Sequence, residues 1–180
     1  MGKEYPTEID VQNRIVEYLT IDSGDLWFPP KNEHELHSHG VDIWLKGNRS
    51  GTRQFFIECK GKSSAKKEKS RNSIDRETSW LQALAQLVTR IKSKRITSKG
   101  KIAKNPCYGL GLYWKSAQVA LYRISKNVSS VLNLYILSVD EEGFVKVFTP
   151  SEIGNKLNKL SQVDLTFFFF LMTFSLKKAQ

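Results

Sequence analysis

The sequence predicts an α/β fold: a mixed central sheet flanked by helices, with a C-terminal hairpin-plus-helix extension. Three observations predict it. Two segments carry apolar residues at helical spacing, several apolar runs of strand length are bounded by turn residues, and the composition can fill one core. The chain has 180 residues and a mass of 20.6 kDa, which suits a single domain. We expect its core over about 7–115 and its extension over about 116–180. With 40% apolar and 11% aromatic residues it can bury a sizeable core, which excludes wholesale disorder despite 26% charged residues.

Taken in order, Thr7 can cap a helix through EIDVQNRIVEYLT, because its hydroxyl can accept from the free N–H groups of the first turn. Ile9, Ile15, Val16 and Leu19 supply its apolar stripe, while Glu8, Gln12 and Asn13 stay polar. IDSGDLWFPPKNEHELHSHG follows, with Gly24, Pro29, Pro30 and Gly40, so a short strand from Leu26 to Phe28 gives way to a loop. Val41 to Leu45 is apolar except for Asp42, Gln54 to Lys60 is the next strand, and GNRSGT between them is turn chemistry. The two strands form a hairpin. Lys62 to Arg71 is a lysine-rich loop without apolar periodicity, loose until an anion orders it.

A helix then runs from Ser73 or Ser79 to about Lys94, with Trp80, Leu81, Leu84, Leu87, Val88 and Ile91 on one face. Gln82, Gln86 and Arg90 stack along its polar edge. SKRITSKGKIAKNP is a second basic loop, and Tyr108 to Trp114 is a strand broken by Gly109 and Gly111. Ser116 to Leu132 reads equally as strand or short helix. NLYILSVD, EEG and FVKVFTP form another hairpin, and Pro150 with Ser151 opens a helix through Leu160. The tail from Val163 to Leu176 contains FFFFLM; at about 14 residues it falls short of the roughly 20 that span a bilayer. We expect a core strand or helix there, with membrane contact or a subunit interface as the alternatives.

The formal net charge is +10, and polyanions are the leading partners. Its placement is informative. Lys60 to Lys104 holds 14 basic and three acidic side chains, net +11, so one quarter of the chain carries the whole excess. That is the footprint expected for phosphate; the alternative is a solvated face that serves solubility. Cys59 and Cys107 cannot make a disulfide framework, and MGKEYPTEID lacks the apolar run of a signal peptide, so a reducing cytoplasm is expected. His34, His37 and His39 with Glu33 and Glu35 lack the HExxH spacing of a zinc site. Gly109 and Gly111 lack the further glycines of a nucleotide-binding turn.

The residues that carry chemistry are Asp42 on one strand and Glu58, Cys59 and Lys60 at the end of the next. Strand side chains alternate, so Glu58 and Lys60 share one face while Ile57 and Cys59 point the other way. If the hairpin sets Asp42 beside Glu58, two carboxylates converge and repel unless a cation lies between them. Hard oxygen ligands select Mg2+ or Mn2+, with the Cys59 backbone carbonyl completing the protein's share. Lys60 beside such a site could orient or help deprotonate an attacking water and offset charge on phosphate oxygens. The plain alternative is an ion pair at a strand end.

HGVDIWLKG and RQFFIECKG closely resemble the D…ExK core of the PD-(D/E)XK nuclease superfamily, which includes restriction endonucleases, archaeal Holliday-junction resolvases and some homing endonucleases. The likeness covers roughly Thr7 to Arg90, and Val41 stands where the family name has proline. It implies a restriction-endonuclease-like sheet and metal-dependent hydrolysis of DNA phosphodiester bonds. Carried over by position, Asp42 and Glu58 become metal ligands and Lys60 the catalytic lysine. Members often add a glutamate from the first helix: Glu8 is the candidate ahead of Glu17, unless Glu8 only favours the helix N-terminus. They also add a polar residue from the next helix, here Gln86. Lys62, Lys66, Lys67, Lys69, Arg71, Lys94 and Arg95, with Gln82 and Arg90, would grip the nucleic-acid backbone. RNA as substrate, and a nuclease fold that binds DNA without cutting, are the competing readings; a homodimer would match two strands with two sites.

Replacing Lys66 and Lys67 together by alanine should weaken duplex binding and flatten its dependence on log salt, by roughly one unit of slope for each phosphate no longer neutralised. Fluorescence anisotropy across a salt series measures this; an unchanged slope would leave those lysines a solvated face.

Overall fold

The computed structural model describes residues 6–23, 27–28, 40–47, 53–61, 71–91 and 106–154, with the backbone alone for 71–77. Its elements in chain order are α1 (Glu8–Glu17), continued by a π-helical turn (Tyr18–Asp22), β1 (Ile43–Lys46), β2 (Gln54–Lys60), α2 (Arg71–Ile91), β3 (Cys107–Tyr113), α3 (Trp114–Arg123), α4 (Lys126–Val131), β4 (Leu134–Val139) and β5 (Val145–Phe148). The five strands make one mixed sheet in the order β1-β2-β3-β4-β5. Its outer pairs are antiparallel and its inner pairs, β2 with β3 and β3 with β4, parallel. The parallel pairs follow from their connections, since α2 carries the chain back between β2 and β3, and α3 with α4 does so between β3 and β4.

Both faces of the sheet are covered. Trp44, Phe56, Leu110, Leu112 and Ile136 pack with Ala83 and Leu87 of α2 and Ala117 and Ala120 of α3. On the other face Ile43, Leu45, Phe55, Ile57, Cys59 and Leu137 meet Val11, Ile15 and Leu19 of the α1 segment. β2 is therefore buried almost end to end, and its alternation sends Phe55, Ile57 and Cys59 to α1 and Phe56 to α2. Glu58 and Lys60 share the parity of Phe56.

Several elements differ from the sequence expectation. The buried stripe of α1 is Val11, Ile15 and Leu19 at strict fourfold spacing, and Ile9 is 66% exposed in the first turn. The expected strand at Leu26 to Phe28 is, among the described residues, an isolated bridge from Phe28 to Lys46. β1 starts at Ile43, so Val41 and Asp42 lie in the bend before it. α2 begins at Arg71, ahead of Ser73, and buries Ala83 and Leu87 with Trp80, Leu84 and Ile91 packed alongside, leaving Leu81 and Val88 outside the stripe. Gly109 and Gly111 do not break β3. A Cβ on Gly111 would lie 2.5 Å from Ile15 Cδ1 and 2.6 Å from Cys59 Sγ, so the missing side chain lets α1 lie close on the sheet.

Ser116 to Leu132 is helical. α3 buries Ala117, Ala120 and Leu121, and Ser125 caps α4 by accepting from the Val128 N–H at 3.4 Å. The hairpin β4–β5 adjoins β3 and so continues the central sheet rather than extending from it. Its turn is organised by Asp140, whose Oδ1 accepts from the N–H groups of Glu142 (3.0 Å) and Phe144 (2.8 Å). The helix expected from Pro150 to Leu160 is turn from Pro150 to Gly154 and lies outside the described residues beyond that, as do the phenylalanine-rich tail and the group from His34 to His39. Among the described residues no helix is long and apolar enough to cross a membrane.

Ile15→Ala should cost about 3 kcal/mol of stability, whereas Ile9→Ala should change it by less than about 0.5 kcal/mol. Urea denaturation of the two variants checks which stripe of α1 faces the core.

Candidate functional site

The site begins with the register of β1 against β2. Ile43 is opposite Ile57, and one step towards the start of β1 sets Asp42 opposite Glu58. The Asp42 carboxylate is fixed by the strand itself: its Oδ2 accepts from the Cys59 N–H at 2.7 Å. In an extended strand the N–H and C=O of one residue point to the same edge, so the Cys59 carbonyl is directed to the Asp42 side as well.

Glu58 is only 1% exposed, and Arg90 of α2 donates from Nη1 to its Oε2. Burial first, and then the negative charge of Asp42, push the Glu58 carboxyl up to about 7, against the opposing pull of Arg90 and Lys60. Arg90 also borders the bend ahead of Asp42: a Cβ on Gly40, which has φ +69°, would lie 3.8 Å from Arg90 Nε. Arg90 thus stands between the Gly40 turn and Glu58, on the face of the sheet that both carboxylates share.

Lys60 ends β2 and pairs with Glu8, Nζ to Oε2 at 3.3 Å. Gly61 makes this pairing possible. A Cβ there would fall 2.2 Å from the Glu8 nitrogen, so only glycine lets the first turn of α1 press on the end of β2. The capping of α1 is done by other residues. Thr7 Oγ1 accepts from Asp10 N at 3.2 Å and Asp10 Oδ2 accepts from Thr7 N at 2.8 Å. The Thr7 hydroxyl also donates to Asp10 Oδ2 at 2.7 Å, and this bond is the main reason that the Asp10 carboxyl lies below its ordinary range. Glu8 is therefore left to Lys60. Glu17 pairs with exposed Arg14 at 3.0 Å, away from these residues.

The structure brings together Glu8, Asp42, Glu58, Lys60 and Arg90. Gln86 and Gln82 sit on the exposed flank of α2, one and two turns before Arg90, and neither side chain bonds to the carboxylates. Arg90, expected to grip phosphate, is instead the α2 residue that reaches Glu58. The row Gln82, Gln86, Arg90 was visible in the sequence, but not which of its members the sheet would meet. Lys62, Lys66, Lys67, Lys69, Lys94, Arg95 and the side chain of Arg71 lie outside the described residues.

The groups that could hold a divalent cation are the Asp42 and Glu58 carboxylates and the Cys59 carbonyl. Among the described residues no cluster of three or more His, Cys, Asp and Glu forms. Two carboxylates with one carbonyl suit a hard ion that keeps much of its water, as Mg2+ and Mn2+ do, and do not suit zinc. The Cys59 thiol is buried, and its pKa is pushed far above its ordinary value by burial and then by the charges of Asp42 and Glu58; burial also raises that of Cys107. Neither is an activated nucleophile. Comparison with protein families, curated proteins and solved structures gives no match in any of the three.

The Glu58 carboxyl ordinarily titrates near 4.5 and is raised to about 7 by the fold, so between these values the folded chain binds the extra proton. Stability is therefore greatest below the lower value and falls as pH rises through the upper one. Relative to Glu58→Gln, the wild type should lose on the order of 3 kcal/mol between the two ends of that window. Parallel pH profiles from urea denaturation would contradict this.

Proposed function

We propose that this protein is a metal-dependent endodeoxyribonuclease of the PD-(D/E)XK kind, with Asp42 and Glu58 as ligands for Mg2+ or Mn2+. The observation that carries the reading is the alignment of Asp42 with Glu58 across the β1–β2 register, with Lys60 on the same face and held by Glu8. The order of α1, the β1–β2 antiparallel pair, α2 and a parallel β3 supports a restriction-endonuclease-like core. The local charge of +11 between Lys60 and Lys104 supports a phosphate-bearing substrate.

A bound divalent ion would supply Lewis-acid stabilisation and a more acidic water. The chain's own residues supply the rest. Lys60 orients the attacking water and offsets charge as it grows on the phosphate oxygens. Glu8 fixes the Lys60 ammonium by an ion pair, so its direction is set before substrate arrives. The Cys59 N–H fixes Asp42 in the same way. The basic segments that flank α2 in sequence would hold the backbone irrespective of its base sequence, and a second copy would supply the second cut.

The test is cleavage of supercoiled plasmid, a synthetic four-way junction and single-stranded RNA, each with Mg2+, Mn2+ or EDTA. Asp42→Ala and Lys60→Ala should each lower metal-dependent DNA cutting by at least about 100-fold while leaving DNA affinity within about threefold. Cutting by Lys60→Ala at the wild-type rate would remove it from the mechanism, cutting of RNA alone would change the substrate class, and tight binding without cutting would favour a non-catalytic role.

A further inference from the structure

The ion pair between Arg90 and Glu58 places a fixed protein cation on a carboxylate that the proposed function gives to a metal. Glu58 is 1% exposed, so water cannot neutralise it, and the Glu58 charge needs a cationic partner whenever it is ionised. Asp42, one register step away, adds a second negative charge. Lys60, two residues on from Glu58, is engaged by Glu8 at 3.3 Å. Among the described residues Arg90 is therefore the cation paired with Glu58. The Arg90 side chain is 32% exposed, so it links the buried carboxylate to solvent.

We propose that Arg90 and a divalent cation compete for Glu58, and that Arg90 is a positioning residue that balances the Glu58 charge until an ion displaces it. The inference rests on the proposed metal role of Asp42 and Glu58. A guanidinium beside the same oxygen as a doubly charged ion is repelled by it, so the bond to Glu58 is given up when the ion binds. The displaced guanidinium keeps its planar donors, which match a phosphate oxygen pair as well as they match a carboxylate. Metal affinity in the absence of nucleic acid is held down by the strength of the ion pair that must first be broken.

The test measures Mn2+ binding by electron paramagnetic resonance on the full chain without nucleic acid. Arg90→Gln should bind Mn2+ about tenfold or more tightly than wild type, the effect of losing one charge-assisted hydrogen bond. Arg90→Lys, which restores a competing charge, should stay within about threefold of wild type. Unchanged or weaker binding in Arg90→Gln overturns the proposal, as does Arg90→Lys binding as tightly as Arg90→Gln. Asp42→Ala separates the two failures. If it loses Mn2+ while Arg90→Gln matches wild type, only the competition fails; if it binds Mn2+ as wild type does, the metal assignment fails as well. A second readout needs no variant at Arg90's position: the Arg90 Nε–H nuclear magnetic resonance of the wild type should shift as Mg2+ is added, and a signal unmoved at saturation overturns the proposal.

Discussion

The antiparallel register of β1 against β2 is the constraint on which the rest of the site depends. With Ile43 opposite Ile57, Asp42 and Glu58 face each other across the pair on the α2 side of the sheet. A slip of one residue would turn the whole set over, burying Glu58 against Ile15 and sending Ile57 towards Arg90. The core opposes that slip from both faces. Ile43, Leu45, Phe55 and Ile57 are held under α1, while Trp44 and Phe56 are held under α2. The bridge from Phe28 to Lys46 adds a further tie at the other end of β1. A polar site is thus set by apolar packing several residues away.

The second constraint is close approach. Gly111 lets Ile15 settle on β3, and Gly61 lets the first turn of α1 meet the end of β2. Because α1 is capped by Thr7 and Asp10, its other early acid, Glu8, is available to Lys60. Among the described residues the sheet thus gathers three acids and two basic side chains at one end of β2, and pairs them in a defined way: Glu8 with Lys60, Glu58 with Arg90, and Asp42 with a backbone N–H. Burying Glu58 costs stability wherever it is ionised, and the fold keeps it there nonetheless. Sites that carry such a cost are where chemistry is expected.

Much of this was legible in the sequence because strands obey a period of two. Glu58 and Lys60, two apart, could be placed on one face without coordinates, whereas Asp42 joins them only through the register of β1 against β2. The span of β2 and the hairpin β4–β5 followed from apolar runs bounded by turn residues. Helical faces were harder. Ile9 and Val11 are both apolar and lie two apart in α1, and only packing against Ile57 and Cys59 decides that Val11 is inside. Ser116 to Leu132 mixes small, polar and apolar residues, and its helices are settled by a fit of Ala117 and Ala120 to the sheet that no local pattern encodes. The pairing of Arg90 with Glu58 joins residues 32 apart and depends on where α2 crosses the sheet, so spacing along the chain could not reveal it.

The central claim is that the two carboxylates aligned by this register hold a divalent cation. Anomalous diffraction from crystals grown with Mn2+ tests it most directly. We predict one Mn2+ peak bonded to Asp42, Glu58 and the Cys59 carbonyl, with the Arg90 guanidinium moved off Glu58. A peak elsewhere on the chain, with Arg90 still seated on Glu58, would contradict it.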